Sequence, residues 1–165
     1  MPGSETRVLW IDDELRTTMK FLVSALRFSG FRIDTAEYLK EALDLLNQYR
    51  EGRARPGIVL LDVMMPVREN DAAALSALGG QTDNRELNSM TAGILLIERI
   101  AATLPKVPIL ALTNLSEETE IGQHGFDLMR QHNAITRIES KPVTHREILS
   151  LIRGMLEVGS GDHAS

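Results

Sequence analysis

The chain has 165 residues and no cysteine, and 43% of its residues are hydrophobic against 25% charged. This composition is typical of one soluble globular domain, and it excludes a disulfide framework and a thiolate metal site. The formal net charge of −5 disfavours a nucleic-acid-binding surface, which usually carries an excess of lysine and arginine. No apolar run approaches a membrane span and no segment resembles a signal peptide, so we expect a cytoplasmic protein that neither binds DNA nor inserts into a membrane.

The first part of the sequence alternates between two kinds of segment. Short apolar or alternating runs at 8–11, 31–34 and 58–61 predict three strands. Between them, apolar residues at helical spacing predict two helices, of which the first has its apolar face from Leu15 onward and ends at Gly30. The order so far is strand, helix, strand, helix, strand.

The alternation is interrupted after the third strand. Residues 67–92 are polar and rich in alanine, and they form an apparent insertion. Within it, residues 70–78 could form a short helix with Asn70 or Asp71 as its cap. The helical period resumes at 94–104, where we expect the third main helix.

The last part of the sequence returns to alternating elements. Ser116 is expected to cap a polar helix that reaches about His132, and Thr144 with Glu147 fits a capping box at the start of the final helix. Two further strands are predicted at 107–112 and 135–140. A disordered tail is predicted at 159–165.

Strands that alternate with helices predict a parallel sheet with helices on both faces. In such a sheet the ligand site lies at the carboxyl ends of the strands. Polar residues stand at four of these ends, so the fold is expected to gather them at one rim. They are Asp12, Asp13, Asp62, Thr113 and Lys141.

This set of side chains suits phosphoryl transfer. Carboxylates held close together repel one another, and a hard divalent cation such as Mg²⁺ removes that repulsion. Lys141 adds a fixed positive charge and Thr113 adds a hydroxyl group. Asp62 stands alone on a central strand, which makes it the natural nucleophile for a phosphoryl group.

The same residues, taken in order, resemble the receiver domain of two-component response regulators. The motifs that carry the resemblance are Asp12-Asp13, Asp62 with Met65-Pro66, Thr113, and Lys141-Pro142. The resemblance implies a flavodoxin-like α/β fold, with a doubly wound five-stranded parallel sheet in the order 2-1-3-4-5. It also implies a single receiver domain over residues 1–158, apart from the insertion.

The resemblance further implies a role for each site residue. Asp62 would accept a phosphoryl group from a phosphohistidine on a sensor histidine kinase or a histidine phosphotransfer protein. Lys141 would contact the phosphoryl oxygens, and Thr113 would move to hydrogen-bond the phosphorylated aspartate. The Lys141–Pro142 peptide bond is expected to be cis. The Mg²⁺ ligands would be Asp12, acting largely through water, Asp13, Asp62 and the backbone carbonyl of Met64.

The implied protein is a signalling module and not an enzyme, apart from its own phosphoryl transfer and autodephosphorylation. It would signal by contact with an unidentified downstream protein, and a homodimer is possible. A hydrolase of the haloacid-dehalogenase type is disfavoured, because such enzymes place a second aspartate where this chain has Met64. A degenerate receiver that binds partners independently of phosphorylation stays open, and so does a fragment of a longer protein.

The sequence departs from the receiver pattern at two places. Ile138 stands where the family often carries the aromatic residue of its switch. The glycine that leads into the third helix corresponds to Gly93, which lies beyond the insertion. The insertion is expected to be either a tolerated surface loop or a lid or partner-binding element. Glu14 is expected to be a charge at a helix start, with an influence on the metal site as the alternative.

Overall fold

The computed structural model describes residues 5–79, 85–132 and 135–160. Five parallel strands form one sheet in the order β2-β1-β3-β4-β5, which confirms the predicted flavodoxin-like topology. The strands are β1 (Arg7–Ile11), β2 (Arg32–Ala36), β3 (Ile58–Asp62), β4 (Ile109–Thr113) and β5 (Ile135–Ser140).

Helices follow the strands along the chain, with one extra short helix after β3. The helices are α1 (Lys20–Phe28), α2 (Leu39–Arg50), α3 (Ala72–Ala77), α4 (Arg85–Thr103), α5 (Glu120–Gln131) and α6 (His145–Ser160). A single 3₁₀ turn, Glu69–Asp71, leads into α3. Across the ranges that the structure describes, no helix is long and apolar enough to cross a membrane.

The sheet is buried between two helical layers, as the continuous apolar strands predict. Leu9 and Ile11 of β1 pack into the core that contains α2, α3, α4 and α5. Val8 and Trp10 point to the opposite face, into the core that contains α1 and α6. The central strand β3 is buried at every position, including its terminal carboxylate Asp62. The rim that follows β3 is thus held by a rigid core.

The first helix begins later than its apolar spacing predicts. Leu15 and Met19 are buried as expected, but they lie in turns before α1, which starts at Lys20. The Met19 amide donates to the Glu14 carbonyl at 2.9 Å, in a turn that is wider than a helical one. The loop after β1 is therefore irregular, and this irregular backbone carries Asp12, Asp13 and Glu14.

The two predicted helix caps have different outcomes. Thr119, and not Ser116, caps α5, because the Thr119 Oγ1 accepts a hydrogen bond from the Gly122 amide at 3.0 Å. The Ser116 hydroxyl instead accepts from the Glu118 amide at 3.2 Å, in the turn before the helix. The capping box of α6 is confirmed, since Thr144 and Glu147 each accept a hydrogen bond from the backbone amide of the other.

The insertion contains the predicted short helix, α3. The start of the next helix was predicted too late, at residue 94. The structure has α4 beginning at Arg85, with Gly93 inside that helix. Residues 80–84 of the insertion lie outside the described residues. The tail was also predicted to start too early, since α6 continues through Ser160, and the remaining tail residues 161–165 lie outside the described part.

Gly93 marks the place where α4 crosses the end of β3. A Cβ atom at this position would lie 1.9 Å from the Val63 carbonyl oxygen, so no larger side chain fits. Gly154, in α6, is exposed, and a Cβ added there would meet nothing within 4 Å. Gly93 and Gly154 thus differ in what an added methyl group would contact.

We expect Gly93→Ala to destabilise the protein by about 1–3 kcal/mol, because α4 must move away from the segment after Asp62. Gly154→Ala, the matched control, should instead stabilise by up to about 1 kcal/mol through helix propensity alone. Urea unfolding of both variants measures the difference. Equal effects of the two substitutions would contradict the close contact between α4 and Val63.

Candidate functional site

The fold brings residues that are distant in the sequence to one rim. Asp12 directly follows β1, and its amide donates to the Ala36 carbonyl at 3.0 Å. Asp62 is the last residue of β3. Lys141 directly follows β5, and its amide donates to the Thr113 carbonyl at the end of β4 at 2.9 Å. All of these strands end at the same edge, as the sequence predicts.

Three carboxylates form a cluster at this rim. Asp12, Asp13 and Asp62 each offer one oxygen atom, and these atoms all lie within 4.8 Å of one another. Asp12 is fully buried and Asp62 is 3% exposed, whereas Asp13 is only partly buried. Burial of like charges at this spacing is unfavourable unless a cation compensates them.

The Lys141 ammonium group supplies part of that compensation. Its Nζ lies 2.7 Å from Asp12 Oδ2 and 3.1 Å from Asp62 Oδ2. A third carboxylate, that of Glu14, reaches the same nitrogen at 3.3 Å. The Lys141 side chain is only 5% exposed, so these contacts are shielded from solvent. One ammonium group thus joins the ends of β1, β3 and β5.

Local turns orient the side chains of the rim. Asp12 Oδ1 accepts a hydrogen bond from the Glu14 amide at 2.9 Å, and Asp62 Oδ1 accepts from the Met64 amide at 3.0 Å. In the same way, the Thr113 hydroxyl accepts from the Leu115 amide at 3.0 Å. Short polar side chains favour such turns at the ends of strands. In both aspartates, Oδ1 is held by the backbone while Oδ2 contacts Lys141.

The environment of Asp62 shifts its titration. Burial raises its pKa, the Lys141 ammonium lowers it, and the Asp12 carboxylate raises it again, so that the pKa lies at about 6. The carboxyl group is therefore still mainly ionised at neutral pH. A carboxylate of raised pKa is also more basic than an ordinary aspartate, which favours bond formation with an electrophile.

The pKa values of Asp13 and Lys141 depend on the same two influences, burial and nearby charges. Burial, together with the nearby Asp12 and Glu14 carboxylates, raises the pKa of Asp13 above its ordinary value. Burial alone would lower the pKa of Lys141, but the attraction of Asp62 and Asp12 outweighs it and holds that pKa above its usual range. Lys141 is thus a permanent cation, and burial is the main reason why the pKa values of Asp62 and Asp13 stay above their ordinary values.

The donor set fits a hard divalent cation. Three carboxylates that can place oxygens close together, with excess negative charge, are the ligands that Mg²⁺ prefers. Asp12, Asp13 and Asp62 are the side chains that would hold it. The backbone of Met64 contacts Asp62 through its amide, and its predicted role as a carbonyl ligand stays a prediction.

The rim also contains a residue whose contact the sequence did not predict. Glu14 was assigned to a helix start, yet α1 begins only at Lys20 and the Glu14 carboxylate contacts Lys141. Its position directly after the aspartate pair was the one available signal. The Lys141–Pro142 bond is cis, as predicted. Ile138 packs partly buried against the core, so β5 presents no aromatic side chain there.

The comparisons with known proteins concern the fold and the resemblance to receiver domains. No protein-family model matches the chain. A segment of 95 residues, 58% of the chain, is 34% identical to the response regulator MprA of Mycolicibacterium vanbaalenii. The fold matches a CheY-like receiver domain protein of Methanospirillum hungatei JF-1, with a TM-score of 0.65 and 17% identity over 96% of this chain and 99% of that one. These matches confirm the resemblance to response-regulator receiver domains.

Two of the matched proteins are much longer than the shared part. The match spans 38% of MprA. It spans 29% of NtrX from Brucella abortus, solved in complex with ADP, which is 17% identical with a TM-score of 0.64 over 97% of this chain. The receiver fold thus also occurs as a portion of larger proteins. The expectation that DNA is not a partner consequently has no support from these relatives.

The raised pKa of Asp62 predicts how stability depends on pH without metal. The pKa of Asp62 is about 6 in the folded state against an ordinary value of 3.8. Its favourable contribution to the free energy of unfolding is therefore complete below pH 3.8 and is lost as the pH rises through 6. In chelator, Asp62→Asn should therefore be more stable than wild type, and this advantage should grow by about 1–2 kcal/mol between pH 5 and pH 7.5.

Urea unfolding at the two pH values measures this difference. Glu118→Gln is the matched control, because Glu118 is exposed and its removal also deletes one negative charge. The control should show no such increase. An advantage of Asp62→Asn that stays constant or shrinks with rising pH would contradict the strained carboxylate cluster.

Proposed function

We propose that this chain is a cytoplasmic phosphoacceptor domain, in which Asp62 takes a phosphoryl group from a phosphohistidine in a Mg²⁺-dependent reaction. The observation that carries the proposal is the position of Asp62. Its carboxylate is 3% exposed, lies within the three-carboxylate cluster and contacts the Lys141 ammonium group at 3.1 Å. The chain would act by contact with other proteins, and its catalysis would be limited to its own phosphorylation and dephosphorylation.

The proposed step is a direct displacement at phosphorus. An oxygen of the ionised Asp62 carboxylate forms a bond to phosphorus, and the bond between phosphorus and the donor histidine breaks. The electron pair of the broken bond stays on the imidazole nitrogen of the donor. Attack of water on the aspartyl phosphate later releases inorganic phosphate and restores the carboxylate.

The residues of the rim have separate tasks in this step. The Met64 amide holds Asp62 Oδ1, and Lys141 lies beside Oδ2, where it can attract the phosphoryl oxygens. Asp12 and Asp13 would hold the cation together with Asp62. When bound, Mg²⁺ would neutralise negative charge on the carboxylates and on the incoming phosphoryl group.

Thr113 is suited to respond to the modified aspartate. Its side chain is fully buried, and its oxygen accepts a hydrogen bond from the Leu115 amide. The hydroxyl hydrogen can still donate to a phosphoryl oxygen on the neighbouring strand end. Because the Thr113 carbonyl also accepts from the Lys141 amide, a movement of this residue would affect both sides of the rim.

A face of α1 supports contact with the protein that donates the phosphoryl group. Phe21 is 81% exposed and Phe28 is 97% exposed, although both are large and apolar. They lie seven residues apart, which places them on the same side of the helix. The helix follows directly after the acidic loop. Large exposed apolar side chains on one face are typical of a contact surface for another protein.

A second candidate function is a binding module that works without phosphorylation. Ile138 favours it, because the usual aromatic part of the receiver switch is missing from β5. The buried ion pairs of the rim favour the phosphoacceptor instead. A purely structural rim would be as stable or more stable with apolar side chains in place of these charges.

Intact mass after incubation with acetyl phosphate and Mg²⁺ tests the proposed function. We expect one added phosphoryl group in the wild type, and none in Asp62→Asn or in chelator. Asp127→Asn, an exposed aspartate on α5, is the matched control and should be modified like the wild type. An adduct that persists in Asp62→Asn would disprove the assignment, and the lack of both an adduct and a beryllofluoride complex would favour the binding module.

The face of α1 makes a second prediction. With a histidine phosphotransfer protein that phosphorylates the wild type, Phe21→Ser together with Phe28→Ser should lower the rate of phosphoryl transfer at least about tenfold, since buried aromatic contacts contribute about 1–2 kcal/mol or more. The rate with acetyl phosphate should not change. Val158→Ser, at another exposed apolar residue, is the control. Equal loss with both donors would contradict a docking role.

A further inference from the structure

The insertion is docked on the N-terminus of α2 by a buried carboxylate. Asp71 is 1% exposed, its Oδ1 accepts a hydrogen bond from the Lys40 amide at 3.2 Å, and its Oδ2 accepts from the Arg68 amide at 3.1 Å. Lys40 lies in the first turn of α2, where backbone amides lack partners within the helix. Tyr38, at the cap position, provides no side-chain hydrogen bond. Asp71 therefore caps α2 from a distant segment.

A second contact lies beside the first. The Arg68 guanidinium stacks over the Tyr38 ring, 4.1 Å from its centroid. A cation at this distance from an aromatic face is attracted to it. We call these two contacts, Asp71 with Lys40 and Arg68 with Tyr38, the α2 latch. On the other side of the insertion, the Arg99 side chain of α4 donates to the Ala77 carbonyl at 3.3 Å.

Residues 67–79 of the insertion are therefore packed against the domain and do not form a loose surface loop. Ala74 and Leu75 of α3 are buried in the same core as α2 and α4. Burial of this kind, together with a hydrogen-bonded cap, gives the segment one defined position relative to α2. The segment can consequently have a second position only if these contacts break.

The latch is connected to the two segments that carry the carboxylates of the rim, one after β1 and one at the end of β3. On one side, a short segment joins Asp62 to Arg68, and it contains the Met64 amide that binds Asp62 and the fully buried Met65. On the other side, Glu37 directly precedes Tyr38 and pairs with Arg16 at 2.6 Å. Arg16 lies in the same loop as the carboxylates that follow β1. A structural change at the carboxylate cluster can therefore reach the latch through the segment after Asp62 and through the Arg16–Glu37 ion pair.

We propose that residues 67–79 of the insertion are the output element of this chain, and that occupancy of Asp62 opens the α2 latch. This inference rests on the proposed function and adds to it the route by which the signal leaves the site. Added bulk and negative charge on Asp62 displace the segment that begins with the Met64 amide, and the short connection carries this displacement to Asp71. Residues 67–79 would then transmit the signal, a role that the receiver pattern assigns to an aromatic residue at the position of Ile138.

Hydrogen–deuterium exchange with Mg²⁺ and beryllofluoride tests this inference. Beryllofluoride imitates a phosphoryl group on a carboxylate, and ¹⁹F resonances independently show whether it is bound. In the bound wild type, amides in 37–45 and 67–79 should exchange at least about fivefold faster than with Mg²⁺ alone. Amides in 145–158, in α6, should not change. Beryllofluoride that binds while 37–45 and 67–79 are unchanged or slower would overturn the inference and leave the proposed function intact.

Two variants separate the latch from general loosening. In Asp71→Asn, the first turn of α2 should already exchange faster without beryllofluoride and should gain at most twofold when it binds, while Asp62 still accepts a phosphoryl group. Arg68→Met, which keeps the length of the side chain but removes its charge, should have a smaller effect in the same direction. Asp127→Asn, an exposed aspartate on α5 and outside the latch, is the control and should behave like wild type. A full beryllofluoride response in Asp71→Asn would also overturn the inference. Wild-type protein that forms neither a beryllofluoride complex nor a phosphoryl adduct would instead refute the proposed function itself.

Discussion

A single buried ammonium group holds the rim of this sheet together. Lys141 Nζ contacts carboxylates that follow β1 and end β3, while its own backbone is bound to the end of β4. Removal of one partner from a buried ion pair leaves an uncompensated charge, which is far less favourable than the intact pair. The rim therefore depends on Lys141, because removal of this one cation would leave the buried Asp12 and Asp62 carboxylates without compensation. It is also under electrostatic strain, because the acidic groups outnumber the cation.

That strain is what makes the site suited to a ligand. Burial and neighbouring carboxylates raise the pKa of Asp62 and of Asp13, so the ionised forms of both groups are disfavoured in the folded protein. A divalent cation would relieve this penalty, and binding would then stabilise the fold. The hydrophobic core fixes the position of Asp62, since β3 is buried along its whole length and Gly93 of α4 lies against the segment that follows it.

The sequence was sufficient for the sheet and for most of the site, because both depend on local patterns. Continuous apolar strands, each followed by a polar residue, predict where the strands end and which side chains share an edge. Asp12, Asp13, Asp62 and Lys141 were found in this way. The contact between Glu14 and Lys141 was not predicted, because it requires the irregular turns that delay α1 until Lys20. Such turns are set by tertiary packing, which overrides the helical spacing of Leu15 and Met19.

The insertion shows the same limit more strongly. Its short helix follows from composition, whereas its position follows from Asp71, which caps a helix 31 residues away in the sequence. Asp71 was considered only as a cap for its own helix, since a local pattern cannot reveal a remote partner. Likewise, α4 begins at Arg85, within the segment assigned to the insertion and before Gly93, which was expected to lead into it.

The most direct test is a crystal structure of the protein grown with Mg²⁺ and beryllofluoride. We expect beryllofluoride on an oxygen of Asp62, a metal ion held by Asp12, Asp13 and Asp62, and the Lys141 ammonium group turned from the carboxylates towards the fluorine atoms. A metal ion bound elsewhere, or Lys141 still paired with Asp62 in a rim that contains neither ligand, would contradict the assignment of this rim as a phosphoacceptor site.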